Sequence, residues 1–235
     1  MRKLLAVFLL LAPCSGLPAK DNHQQADQLK KASMVINEIM QTPDKGIPQD
    51  LLNKAVCVGV VPSELKAAFV LGGTYGRGVL VCRKHGNGPW GGPSLFTLGG
   101  GSIGFQIGAK ATDVVFLVMN PNGVSKLLHN QVKLGADISV AAGPVGRTAA
   151  GETDAELHAE ILSYSRSRGV FAGVALSGAV LKQDRDDNEN LYGRAVQPEE
   201  ILVKGTVDSP SPAARELDET LAKYSPHGGK PITES

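Results

Sequence analysis

The chain reads as an α+β domain: a largely antiparallel, curved or barrel-like sheet with an N-terminal amphipathic helix and short peripheral helices. Three observations predict this. Residues 22–41 place Ala26, Leu29, Ser33, Ile36 and Met40 on one helical stripe, with Lys30 and Lys31 to its side. After Asn53 the character changes to short, strand-like apolar runs punctuated by Gly and Pro. The connections between those runs are mostly too short for the crossovers that parallel strands need.

Taken in order, the chain opens with MRKLLAVFLLLAPCSGLPAKD, two cations and then an apolar run from Leu4 to Ala12 followed by small residues. That is the layout of a secretory leader, assigned to residues 1–19, and the run is too short to span a bilayer permanently. Leu11-Ala12-Pro13-Cys14 resembles a lipobox, which would anchor a lipid on Cys14; cleavage after Gly16 or Ala19 is the favoured alternative, because proline before the cysteine is atypical. Export to a periplasm, cell envelope or extracellular space is therefore expected.

The domain itself is assigned to residues 22–205. A second helix begins near Pro48, since proline suits a first turn. Strand-like runs follow at 55–61, 67–72, 77–84, 94–98, 102–108 and 113–119. Asn122 is read as capping a short helix, and further runs come at 135–142, 159–165 and 169–181. Beyond Gly205 a Pro/Ser-rich linker leads to a polar helix, Ala213 to Tyr224, and a tail expected to be disordered; residues 206–235 are assigned to this appendage.

Charges nearly balance, 24 basic against 23 acidic, so no global field draws nucleic acid, and anion recognition must come from a local cluster. With Cys14 lipidated or lost with the leader, Cys57 and Cys82 remain as an even pair in an oxidising compartment, which reads as a disulfide; two buried free thiols are the alternative.

The glycine-dense stretch from Pro89 to Lys110 matches three patterns by letter, one of them the G-x-x-x-G-x-x-x-G of close-packed helices at Gly100, Gly104 and Gly108. Gly99-Gly100-Gly101-Ser102-Ile103-Gly104 satisfies the dinucleotide fingerprint, but no helix follows to hold a pyrophosphate, so no cofactor is expected. Ser102 within Gly100 to Gly104 satisfies the nucleophile elbow, which again needs a following helix in a parallel sheet; a serine hydrolase is the lesser alternative. Read as a strand, Ile103, Phe105 and Ile107 alternate with Gly104, Gln106 and Gly108, giving one apolar face and one nearly bare one. That bare face takes either a close-packed neighbour or an acyl chain. Trp90, the sole tryptophan, fits either a membrane interface or the core.

Asp184 to Ala195 lacks the glycine and glutamate of a calcium loop and reads as a solvated acidic turn; no metal is expected. Arg166 and Arg168 fall on one face of a strand, about 7 Å apart, a spacing suited to phosphate. Arg77 and Arg83 are weaker candidates, read also as solvated strand ends.

Several stretches, in order, resemble the SYLF domain family, a lipid-binding module of yeast actin-patch proteins and exported bacterial proteins. They are Val60-Val61-Pro62, Gly73 to Gly78, Trp90 with Pro93 and Phe96, Gly100 to Gly108, Gly135-Ala136-Asp137 and Gly143 to Gly146, then Tyr164 to Ser167 running into Gly169 to Gly173, Asn190, Tyr192-Gly193 and Glu200-Ile201-Leu202. The resemblance spans roughly residues 30 to 205. It implies recognition of phospholipid head groups, phosphoinositides in eukaryotic members, without catalysis, and the first-helix cations Lys30 and Lys31 match a basic segment of some relatives. The expected ligand surface is Lys30, Lys31, Arg77, Arg83, Arg166, Arg168, Trp90 and Phe105. Because the leader reads as export, actin and cytosolic phosphoinositides are not expected as partners; a non-catalytic envelope structural or interaction protein is the alternative.

Overall fold

A computed structural model describes residues 23–42, 46–62, 73–101, 112–146, 158–167, 170–226 and 228. The leader with Cys14, the runs expected at 67–72 and 102–108, Ser102, Phe105, Arg168 and most of the tail fall outside them. Among the described residues the elements are α1 (His23–Met40), α2 (Gln49–Lys54), β1 (Cys57–Val61), β2 (Gly73–Arg83), β3 (Trp90–Gly101), β4 (Asp113–Val118), α3 (Pro121–Leu127), β5 (Gln131–Lys133), β6 (Val140–Ala142), β7 (Ile161–Ser167), β8 (Val170–Gly173), β9 (Val180–Gln183), α4 (Arg185–Tyr192), α5 (Pro198–Leu202) and α6 (Pro212–Tyr224).

The strands form one sheet in the order β5-β9-β3-β2-β1-β4-β7-β6, with β8 also on β7. Every pairing is antiparallel except β6 with β7. The edge strands β5 and β6 are joined by residues 134–139 alone, within which Leu134 bridges Ile138. So short a link brings the two edges together at that point, and the sheet curls into a half-barrel as expected.

Strand alternation splits the apolar residues between two cores. Val58, Val60, Val79, Val81, Val115 and Leu117 face α1, α2 and α6. Cys57, Val61, Leu80, Phe96, Phe116 and Leu181 face the other way, where Leu127 of α3 and Ile201 of α5 join them. On that second face Phe96 and Phe116 meet edge to face, 5.7 Å apart. Each ring lies over a glycine of the neighbouring strand: a Cβ on Gly59 would sit 2.1 Å from Phe116 Cζ, and one on Gly78 2.2 Å from Phe96 Cζ.

Several boundaries differ from expectation, each for a local reason. The run expected at 135–142 shortens to β6, because a turn occupies 135–137, with Gly135 at φ 81°, and β5 lies before the expected run. The run at 169–181 likewise divides into β8 and β9. Asn120, not Asn122, caps α3, its Oδ1 accepting from Gly123 N at 2.8 Å. The acidic turn at Asp184 is the start of α4, capped by Asp184 Oδ1 accepting from Asp187 N at 3.1 Å. The polar helix at the C-terminus is α6, and it buries Ala213, Ala214, Leu217 and Leu221 in the core shared with α1.

Cys57 and Cys82 face each other in register across β1 and β2, joined as a disulfide with Cα atoms 4.0 Å apart. The cross-link closes 25 residues of sequence, which contributes on the order of 3 kcal/mol by restricting the unfolded chain.

On α6, Asp218 accepts from Ser209 Oγ while its Oδ1 is buried without a partner. Burial pushes its carboxyl up to about 6, against the opposing Ser209 hydrogen bond and the Lys84 charge. A carboxyl raised in the folded state binds more protons folded than unfolded, so stability falls as pH rises through its window. Asp218→Asn is therefore expected to stabilise the protein at pH 7 and to flatten the loss of stability between about pH 4 and 6, read as urea midpoints across that range. Gly59→Ala should cost about 2–3 kcal/mol through the clash with Phe116, and Phe116→Leu in the same chain should recover part of it.

Candidate functional site

The two ends of the sheet differ in kind. At one end, β2 and β3 meet the C-terminus of α6 around Arg83, which is 1% exposed. Its Nε donates to Ala55 O at 3.2 Å, one terminal nitrogen to Gly88 O at 3.2 Å and the other to Ser225 O at 3.0 Å. Its guanidinium lies 4.0 Å over the Trp90 ring, whose Nε1 also donates to Ser225 O, at 3.1 Å. Burial lowers the Arg83 pKa to about 10, which leaves it charged at pH 7. Of the expected ligand surface, Arg83 and Trp90 thus sit inside the molecule.

At the other end, strands β1, β3 and β7 finish and strands β2, β4 and β8 begin, as the pairings Gly73–Gly101, Asp113–Arg166 and Ser167–Val170 show. Helix α1 crosses these strand ends. Near its start, Gln25 Nε2 donates to Asp187 Oδ1 of α4 at 3.0 Å. Asp187 also pairs with Arg77 of β2 at 3.4 Å. Burial pulls the Arg77 pKa down, but a hydrogen bond with Tyr75 and the Asp187 charge outweigh it and hold the guanidinium above its ordinary value. One face of α1 then lines a cleft of about 210 Å³ with Gln24, Asp27, Gln28 and Lys31, opposite Pro62 and Arg77. Near its other end, Glu38 pairs with Arg166 of β7.

Arg166 is held on three sides. It binds Asp113 Oδ2 at 2.5 Å and Glu38, and its guanidinium lies 5.7 Å from the Phe171 ring centre. Two carboxylates neutralise it, and it serves as a strut between α1 and the sheet.

Between the cleft and that strut, the outward stripe of α1 carries Lys30, Lys31 and Met34, all exposed. Met34 is 55% exposed, Tyr75 of β2 46% and Val170 of β8 52%. The open end therefore combines exposed apolar side chains with cations. The structure brings Lys31 and Arg77 into one cleft, although they lie far apart in sequence. Sequence reasoning missed Met34, Tyr75, Val170 and Gln28, since a single exposed apolar residue or a helical glutamine carries no pattern of its own. No helix among the described residues is long and apolar enough to cross a membrane.

The family described as "Ysc84: Las17-binding protein actin regulator" matches residues 99–224. The chain belongs to the Ysc84, or SYLF, family. It is 31% identical over 213 residues to LAS seventeen-binding protein 3 of Saccharomyces cerevisiae, covering 86% of this chain and 46% of that one. It is 31% identical over 212 residues to the human SH3 domain-containing YSC84-like protein 1, covering 86% and 60%. It is 36% identical over 170 residues to SH3 domain-containing protein PJ696.02 of Schizosaccharomyces pombe, covering 71% and 39%. The chain spans about half the length of these Ysc84-family relatives. Their names also correct one expectation: actin was not expected as a partner, yet the family is described as an actin regulator and a relative as Las17-binding.

The buried guanidinium yields a prediction. Lysine presents one ammonium in place of a planar fork and cannot serve Ala55, Gly88 and Ser225 together. Arg83→Lys and Arg83→Met are each expected to lower stability by roughly 2–4 kcal/mol, read by urea unfolding, with Trp90 fluorescence shifting as its packing loosens.

Proposed function

We propose that this chain is a non-catalytic domain that binds anionic phospholipid head groups, lying on a membrane surface with the open end of its sheet. The observation that carries this reading is that exposed Met34, Tyr75 and Val170 and the cations Lys30, Lys31 and Arg77 all lie on the elements at that end, with Lys31 and Arg77 sharing one cleft. Cations near an anionic surface each contribute about 1 kcal/mol, and apolar side chains add insertion into the head-group layer. Phosphoinositide-type recognition is what the family likeness adds. The apolar leader and the Cys57–Cys82 bridge together support export to an oxidising compartment.

A second reading has its own support in the printed names: the open end binds a protein partner, as the names Las17-binding protein and actin regulator say of the relatives. Cosedimentation separates the two. On the membrane reading, the chain pellets with phosphatidylserine vesicles at low salt, less so as salt rises, and not with phosphatidylcholine vesicles alone. Lys30→Gln with Lys31→Gln should weaken that binding by roughly tenfold or more. Failure to pellet with either vesicle at low salt sinks the membrane reading, and pelleting with actin filaments instead favours the second.

A further inference from the structure

Helix α1 is fixed with one face outward. Leu29, Ala32, Val35, Ile36 and Ile39 lie in the core, while Gln25 with Asp187 and Glu38 with Arg166 tie its two ends. A helix held in this way cannot turn to hide its opposite face. That face carries Asp27, Lys30, Lys31, Met34 and Glu38, with Gln41 just beyond the last turn, all exposed. At 3.6 residues per turn they fall within an arc of about 100°, with Met34 near its middle. Met34 is 55% exposed, more than any other large apolar side chain among the described residues.

The charges along this stripe are ordered. Lys30 and Lys31 lie one turn before Met34, and Glu38 lies one turn after it. Glu38 pairs with Arg166 yet keeps 52% of its side chain exposed, which leaves it a side to offer a further cation. Laid parallel and in register, a second α1 would set lysine against lysine and glutamate against glutamate. Laid antiparallel about Met34, it sets Glu38 of each copy against the Lys30–Lys31 step of the other, because Lys30 and Glu38 each lie about 6 Å along the axis from Met34. Asp27 then faces Gln41, and no like charges are opposed. A two-fold pair needs a surface complementary to itself reversed, and this stripe is one. A purely anionic partner would instead meet Asp27 and Glu38, and a purely cationic one Lys30 and Lys31.

We infer that two copies of this chain pair through α1, antiparallel about a two-fold axis at Met34, with Met34 packed on the second copy's Met34 and Glu38 facing the second copy's Lys30 and Lys31. A single helix pair falls below the roughly 1,200 Å² at which stable interfaces begin, so the dimer is weak, with a dissociation constant on the order of 0.1 mM. The inference goes beyond the membrane reading and does not rest on it. A second copy covers in solution the stripe that a bilayer would cover at a surface, and the two uses exclude each other.

The test is sedimentation equilibrium of the full chain in solution, without lipid, from about 0.01 to 1 mM. The average mass is expected to rise from one chain toward two, and less so at high salt. Met34→Lys should weaken the association at least about tenfold and leave the thermal unfolding midpoint unchanged, since the side chain points outward. A chain carrying Lys30→Glu with Lys31→Glu and a chain carrying Glu38→Lys should each fail to pair with itself, yet pair when mixed, because the mixture restores opposite charges at both contacts. A chain that stays monomeric throughout overturns the inference. So does a dimer indifferent to Met34→Lys, or a mixture of the two reversed chains that does not associate. Should Glu38→Lys fail to fold for want of its contact with Arg166, cysteine cross-linking in a Cys14→Ser chain decides. Met34→Cys is expected to give an oxidised covalent dimer and Gln41→Cys none, because antiparallel pairing holds the two copies of position 41 about 20 Å apart. Linking through Gln41→Cys and not through Met34→Cys overturns the inference.

Discussion

One buried guanidinium holds the closed end of this molecule together. Arg83 closes β2, and its donors reach Ala55 after α2, Gly88 before β3 and Ser225 after α6. Removing a cation from water is costly, and here the compensation comes from backbone carbonyls, a ring face and the negative end of the α6 dipole. Ser225 completes the arrangement by donating to Leu52 O at 3.3 Å and lying 2.8 Å from Asn53 Oδ1. Three carbonyls far apart in the chain are satisfied only if α2, β3 and α6 arrive in one arrangement. The disulfide pins the same end, with Cys82 directly before Arg83.

That constraint frees the opposite end. With α6 anchored by its last turn and by Leu217 and Leu221, it forms a platform for α1, and α1 in turn crosses the open strand ends. The charges on the inner side of α1 are spent on geometry: Asp187 with Arg77, and Glu38 and Asp113 with Arg166. What remains outward is Lys30 and Met34, while the Gln28 side-chain nitrogen stays buried without an acceptor among the described residues. A surface that keeps exposed apolar residues and an orphaned buried donor departs from local stability, and such departures gather at binding sites.

The sequence made much of the framework legible. Short apolar runs bounded by turn residues marked β1 and β4, and the 3.6 period marked α1. Where it misled, a longer-range interaction decided. Asp184 to Tyr192 is polar enough to look like a solvated turn, but Asn188 accepts from Leu95 N at 2.7 Å and so turns a polar stretch into a packed helix. The C-terminal helix looked polar because its small residues, Ala213 and Ala214, do not register as a core, although they allow the close approach to α1. Arg83 looked like a surface candidate, and Trp90 fitted either interface or core, because residue type says nothing of which carbonyls lie within reach.

By itself, the sequence determined the apolar runs of the strands, the apolar stripe of the first helix, the pairing of Cys57 with Cys82 and the family. These depend on spacing along the chain, which periodicity and residue order carry directly. Only the tertiary structure decided which cations are struts and which are offered outward. It also decided that Lys31, Arg77 and Gln28 share one cleft. The reason is that a charge's role depends on its partners' distance and burial, and those partners come from elements far apart in sequence.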